Sequence, residues 1–238
     1  MKIEIANPNK WHQSLTLKLA LLAMLGLLLL IPLQMIKEII TERQANAEKV
    51  KKEISDQWAG KQCFSAPVIN IPIRSIPENK DEKAVTSLWH ILPESLDISG
   101  IIRPEIRYRS IYRSVVYESE LKISGYFLIP PEGILKDHEI LWNEAYYTAG
   151  ISDNRGLKGK IILRIGSTEL EAEPGVRDND IFKSGISFRS GELHHGQEIN
   201  IDMSISLSGS EGLQLTPLGK STTASLSSEW NSPAFNGN

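Results

Sequence analysis

From Leu19 to Ile36 the chain runs eighteen residues without a charge, bracketed by Lys18 and Lys37. At a rise of about 1.5 Å per residue the run makes a helix of roughly 27 Å, close to the hydrocarbon thickness of a bilayer. Only Pro32 and Gln34 interrupt it, both near one end, where headgroups and water reach. The pattern predicts a transmembrane helix over 19–36, so the first partner is a lipid bilayer. Beyond it the period changes. Ile36, Ile39, Ile40, Ala47, Val50, Ile54 and Trp58 recur at helical spacings, and no proline or glycine occurs between Leu33 and Ala59. Glu48 and Lys52 are spaced for an i,i+4 pair. An amphipathic stalk helix over 37–60 is therefore predicted. Its apolar stripe suits packing on its own domain, lying on the membrane surface, or a dimer seam along Ile40, Ala47, Val50 and Ile54. The seam would belong to a sensory domain.

After Gly60 the period falls to two. Ile69, Ile71 and Ile73 alternate with Asn70, Pro72 and Arg74. Leu121, Ile123 and Phe127 share one face of a segment whose other face carries Glu118, Glu120, Lys122 and Ser124. Ile199, Ile201, Met203, Ile205 and Leu207 alternate without a fault, the signature of a half-buried strand. Turn residues 208–212 follow, with an exposed position expected at Ser210. Leu213, Leu215 and Pro217 then resume the alternation, which reads as a hairpin. Short strands fit Ile161–Ile165 and Ile186–Phe188, and a short helix fits Leu141–Ala149. The fold class is mainly β: an N-terminal transmembrane helix and helical stalk, then an antiparallel β-sandwich-like domain over 61–238.

A chain of 238 residues with 41% hydrophobic and 23% charged residues has enough apolar surface for a packed core. A net charge of −3 leaves no basic footprint for nucleic acid. Cys63 is the only cysteine, which excludes an intramolecular disulfide and reads as a partly buried, inert thiol. A cleaved signal peptide would need a shorter apolar run and a nearby small-residue site. Ala45-Asn46-Ala47 comes only after the charged stretch from Lys37 to Arg43, so a retained anchor is expected. Lysine and arginine counts on the two sides of the span leave topology undecided.

Chemical motifs are sparse. Neither a G-x-S-x-G elbow nor an H-E-x-x-H pair occurs. Gly219-Lys220-Ser221 looks like the end of a phosphate loop, but Gln214 stands where that loop needs its opening glycine. His194 and His195 lie between Gly191 and Gly196, as in an exposed turn, and His90 reads as a half-buried strand histidine beside Leu88 and Leu92. Arg107, Arg109 and Arg113 form an alternating basic stripe. They are suited to lipid phosphates or, more simply, to cross-strand pairing with Glu118 and Glu120. Asp153-Asn154-Arg155-Gly156 has the composition of a tight turn. No catalytic, cofactor-binding or metal-ligating residue is assigned, and no cofactor is implied.

Several segments together resemble the CreD family of bacterial inner-membrane, cell-envelope integrity proteins. They are Ser14-Leu15-Thr16-Leu17-Lys18 with the leucine-rich span, Ile31-Pro32 and Glu42-Arg43-Gln44; Leu92-Pro93-Glu94-Ser95-Leu96 with Pro104-Glu105 and 107–112; Gly150-Ile151-Ser152-Asp153 with Arg155-Gly156; and the block from Gly209 through Pro217-Leu218-Gly219 and Trp230 to Phe235. Ser110 stands where the family pattern has glycine, at a bend. The resemblance covers the N-terminal portion of a family member. It implies further β structure and C-terminal membrane helices beyond Asn238, so the β domain is expected to be incomplete. It also implies a cytoplasmic arm over 1–18, a periplasmic domain and a role in envelope integrity or stress tolerance; Trp11, at one end of the helical region, suits an interfacial anchor, and with no catalytic motif found the role is expected to be non-enzymatic. Partners would be the bilayer, other envelope proteins or those membrane helices. The alternative is an envelope-modifying hydrolase whose groups, with Asp153, His90 and Ser152 as candidates, converge only in the fold.

Overall fold

In the computed structural model the described residues are 15–77, 83–230 and 234, so most of the predicted arm, Trp11 included, lies outside them. The chain divides into two compact units, residues 1–50 and 51–238. Among its described residues the first unit consists of helix. Helix α1 (Leu15–Gln57) runs without a break through residues 19–36 and on to Gln57, three residues short of the predicted end of the stalk at 60, with Pro32 inside it. Its most apolar window buries none of its residues against protein, and the helix is long and apolar enough to cross a membrane. A proline is tolerated in such a helix because local adjustments re-satisfy the freed carbonyl.

The second unit opens with the last turns of α1, where Ile54 and Ser55 are buried. The Ser55 carbonyl accepts the amides of Trp58 and Gly60, at 3.0 and 2.9 Å, and the chain turns through left-handed Ala59 and Gly60 into the sheets. Strand β1 (Gln62–Ser75) is central to the first sheet. Next come β2 (Thr86–Ile91), β3 (Ser95–Arg109), β4 (Tyr112–Leu128), β5 (His138–Ile140) and β6 (Tyr146–Ile151). After them the chain forms β7 (Leu157–Ile165), β8 (Thr168–Glu171), β9 (Glu173–Pro174), β10 (Gly185–Arg189), β11 (Glu198–Ser210), β12 (Leu213–Thr216) and β13 (Ser221–Ser228).

The seven-stranded sheet runs β12-β1-β6-β10-β9, with β2 and β5 also pairing with β1, and the six-stranded sheet runs β13-β3-β4-β11-β7-β8. Their inner faces share one core. Phe64, Ile69, Ile71, Tyr147 and Phe188 come from the first sheet, and Leu96, Ile98, Leu121, Ile123, Phe127 and the alternating apolar residues of β11 come from the second. The mainly β reading holds, and the faultless alternation in β11 becomes alternating exposure and burial. By contrast β1 and β6 are buried on both faces. The β1–β6 register shifts between Ser65 and Val68, a bulge that takes up Pro67, which has no amide to give to a ladder.

Three expectations fail, each for a physical reason. Residues 199–217 do not form a hairpin: β11 pairs with β4 and β7, and β12 adds in parallel to β1, matching Gln62–Ser65 to Leu213–Thr216. Alternation identified the strands but carried no information about their partner. Ser210 is accordingly not exposed. It is fully buried at the end of β11, its hydroxyl donating to the Ser55 hydroxyl at 2.7 Å. The short helix over 141–149 is instead a single 3-10 turn, Trp142–Glu144, followed by β6. Burial on both faces erases the alternation that would have marked that strand. Most pairings are antiparallel, but β12–β1 and β13–β3 are parallel, so β12 and β13 join different sheets.

Candidate binding trough

The three hydrolase candidates do not meet. His90 lies opposite Asn70 on β1, whereas the Ser152 hydroxyl accepts the Cys63 amide at 2.8 Å. Seven residues separate those β1 positions, about 23 Å at the strand rise. His90 Nδ1 instead contacts Asn70 Oδ1 at 2.8 Å, and its Nε2 lies 3.8 Å from the Asp180 carboxylate. Asn70 in turn donates to the Thr148 hydroxyl at 3.0 Å. Asn70, Thr148 and Asp180 are separated in the chain, and no local motif announced this chain of contacts.

Asp153 is a structural clamp. Its Oδ1 accepts the Arg155 amide at 2.9 Å, while Oδ2 accepts Arg155 Nη2 at 2.6 Å. Hydrogen bonding from the Arg155 side chain, helped by its amide and charge, holds the Asp153 carboxyl below its ordinary range against the opposing effect of burial. The same guanidinium donates to the Asp56 carbonyl at 2.9 Å. Gln62 Nε2 donates to the Asp153 carbonyl at 2.9 Å and lies 3.3 Å from that of Ser208. The segment 150–156 thus joins β1, β6 and β11 to the last turn of α1.

The remaining motifs also resolve into structure. The amides of Lys220 and Ser221 donate to the Pro93 and Glu94 carbonyls, each at 3.1 Å, so they converge on no phosphate. His194 and His195 are exposed, and the His195 ring meets Trp142 edge-on at 4.7 Å. Cys63 is partly buried, with its sulfur 3.5 Å from the Thr216 hydroxyl. The basic stripe does not pair with Glu118 and Glu120. The two-residue turn at Ser110-Ile111 sets a register that faces Arg103 with Glu118 and Arg107 with Ser114. Arg103 takes Glu120 at 2.7 Å, Arg107 takes Glu105 at 2.7 Å, and Arg109 takes Glu53 at 2.7 Å. Among the described residues, no three His, Cys, Asp or Glu side chains gather as a metal site.

What sequence reasoning missed is a trough of about 570 Å³ on the outer face of the six-stranded sheet. Register lines up Ser99, Lys122, Ser204 and Ile162 in one row, and Asp97, Ser124, Asp202 and Arg164 in the next. An irregularity in β7 beside Ser204–Ser206, with Gly159 at φ +68°, brings Lys160 to the same wall. Arg164 pairs with Glu169 at 2.8 Å and Lys160 with Glu171 at 3.0 Å, while Lys122 makes no ion pair among the described residues. One free ammonium among serine hydroxyls can hold an anionic or hydroxyl-rich ligand. The signal for the trough was present as the polar side of each alternating strand, but strand order was needed to assemble those sides into one surface.

A family model described as Inner membrane protein CreD matches residues 14–238. The inner membrane protein CreD of Escherichia coli (strain K12) is 29% identical over 220 residues, which are 89% of this chain and 48% of that protein. The chain therefore spans about half the length of the curated relative it matches. No solved structure matches.

Proposed function

Because the chain belongs to the CreD family of inner membrane proteins, we propose that it holds a non-enzymatic β domain at the periplasmic face of the inner membrane. There it contributes to envelope integrity under stress. In this reading residues 1–18 are a cytoplasmic arm, 19–36 cross the bilayer, 37–60 form the stalk, and 61–238 stand in the periplasm. The observation that carries it is the uncharged run in α1, whose apolar side chains find no protein cover. Removing that surface from water requires lipid. The dispersal of His90, Ser152 and Asp153 favours binding over hydrolysis, and the trough around Lys122 offers the surface for a periplasmic anion or glycan.

Topology is the first test. In a Cys63→Ser background a single cysteine replaces exposed Glu132, and cells are treated with a membrane-impermeant thiol reagent. Labelling after outer-membrane permeabilisation alone is expected. Labelling only after inner-membrane lysis would put the domain in the cytoplasm and end this reading. A Lys122→Glu substitution in the trough is expected to abolish envelope-stress tolerance while leaving folding and membrane insertion unchanged.

A further inference from the structure

The β3–β4 hairpin carries a second chemical signal, confined to its tip. Within residues 103–115 there are four arginines and one carboxylate, Glu105, in a chain whose overall charge is −3. One face of the tip is occupied inside the unit: Arg107 lies 5.2 Å from the Trp58 ring and Arg109 pairs with Glu53. The other face carries Ile106 opposite Val115 and Tyr108 opposite Arg113. This face is open at the turn and half-covered behind it: Ile111 is 76% exposed and Tyr108 69%, while Ile106 is 39% and Val115 38% exposed. Arg113 makes no ion pair among the described residues.

Exposed isoleucines beside a tyrosine and unpaired arginine match the boundary between headgroups and hydrocarbon. Aliphatic groups there leave water, the phenol keeps its hydroxyl wet, and guanidinium groups meet phosphates. We propose that the hairpin tip, through Ile106, Tyr108, Ile111, Arg113 and Val115, is a second membrane contact that binds the surface of anionic phospholipid. The proposal rests on the membrane-anchored reading and adds a lipid-facing site on the β domain.

The test uses the full chain with Cys63→Ser, reconstituted in nanodiscs of phosphatidylglycerol or of phosphatidylcholine. An environment-sensitive fluorophore is attached at Ile111→Cys, and in separate samples at Leu28→Cys and Glu132→Cys. In phosphatidylglycerol, the probe at residue 111 is expected to shift to the blue and to be quenched by headgroup spin-labelled lipid. Both effects should fall in phosphatidylcholine, with Arg113→Glu, and in 1 M salt, where the screening length is about 3 Å. If the probe at 111 behaves like that at 132 while the probe at 28 is quenched by acyl-chain labels, the tip proposal fails and the anchor stands. A blue shift at 111 without lipid quenching would mark a protein contact and also overturn it. Loss of quenching at 28 would overturn the anchored reading, and the proposal with it.

Discussion

Ser110 holds φ at +56°, in the left-handed region, as the first central residue of the two-residue turn between β3 and β4. A positive φ at that position alone is what a type II′ hairpin turn requires, and glycine supplies it without a Cβ clash. Ser110→Gly is therefore expected to stabilise the protein by about 1 kcal/mol, since a side chain in this conformation costs on the order of 1–2 kcal/mol. Thermal melting should show a rise of about 2–4 °C for a domain of this size. Tyr147 offers a second residue-scale test. Its ring is fully buried, and its hydroxyl has the Ser190 hydroxyl beside it but no hydrogen bond of good geometry among the described residues. Burial raises the phenol from its ordinary 10.0 to about 12, with the neighbouring Ser190 hydroxyl acting slightly in the other direction. A raised pKa means that the folded state holds the proton more tightly. The linked stability is complete below pH 10 and drains away as pH climbs from about 10 towards 12. Tyr147→Phe should flatten that alkaline limb, leaving the slope due to Tyr117 and Tyr146, which burial also raises.

At the scale of elements, the segment between β9 and β10 is pinned to the first sheet by Phe182, whose ring lies over Gly150. A Cβ added at Gly150 would stand 2.6 Å from the Phe182 ring, too close for any real contact. Gly150→Ala should cost about 1–3 kcal/mol by overpacking. It should also speed hydrogen exchange in residues 175–184, and Phe182→Ala in the same chain should restore part of the loss. What was legible from sequence at this scale follows a simple division. One-sided strands such as β4 and β11 announce themselves because water and core alternate along them. Doubly buried β6 was read as a helix because its pattern has no polar face. The Asp153–Arg155 turn was legible, since its residue types make it locally. Its bonds to Gln62 and Asp56 were not, being formed across about 90 residues of chain. The trough stayed hidden for a related reason. Each of its serines and lysines looks like ordinary solvated surface until strand order places them side by side.

At the scale of the whole molecule, membership of an inner-membrane family and a long apolar helix agree in placing the chain at a bilayer. The β unit was legible as a class and not as a topology, because parallel pairing of β12 with β1 depends on residues 151 positions apart, such as Gln62 and Leu213. Leu213→Arg together with Leu215→Arg is expected to strip β12 from the sheet. The partly buried leucines pack against the shared core, so the double variant should lose about 2–5 kcal/mol. The matching observable is faster hydrogen exchange at the Gln62–Ser65 end of β1, with β4 and β11 least affected.

The late placement of β12 and β13 also bears on how the protein is made. A ribosome adds residues in order, so the edges of β1 and β3 stand open until residues 213–228 have emerged. During that interval unpaired strand edges and a half-closed apolar core face their surroundings while the first helix is already committed to lipid. Synthesis of this chain therefore includes a window in which a chaperone has most to protect. A ribosome-bound chain stalled with residue 212 just exposed should be digested by protease throughout the β unit. A chain stalled with residue 230 exposed should gain protection at Gln62–Ser65 and Ser95–Ile102, the edges that β12 and β13 cover.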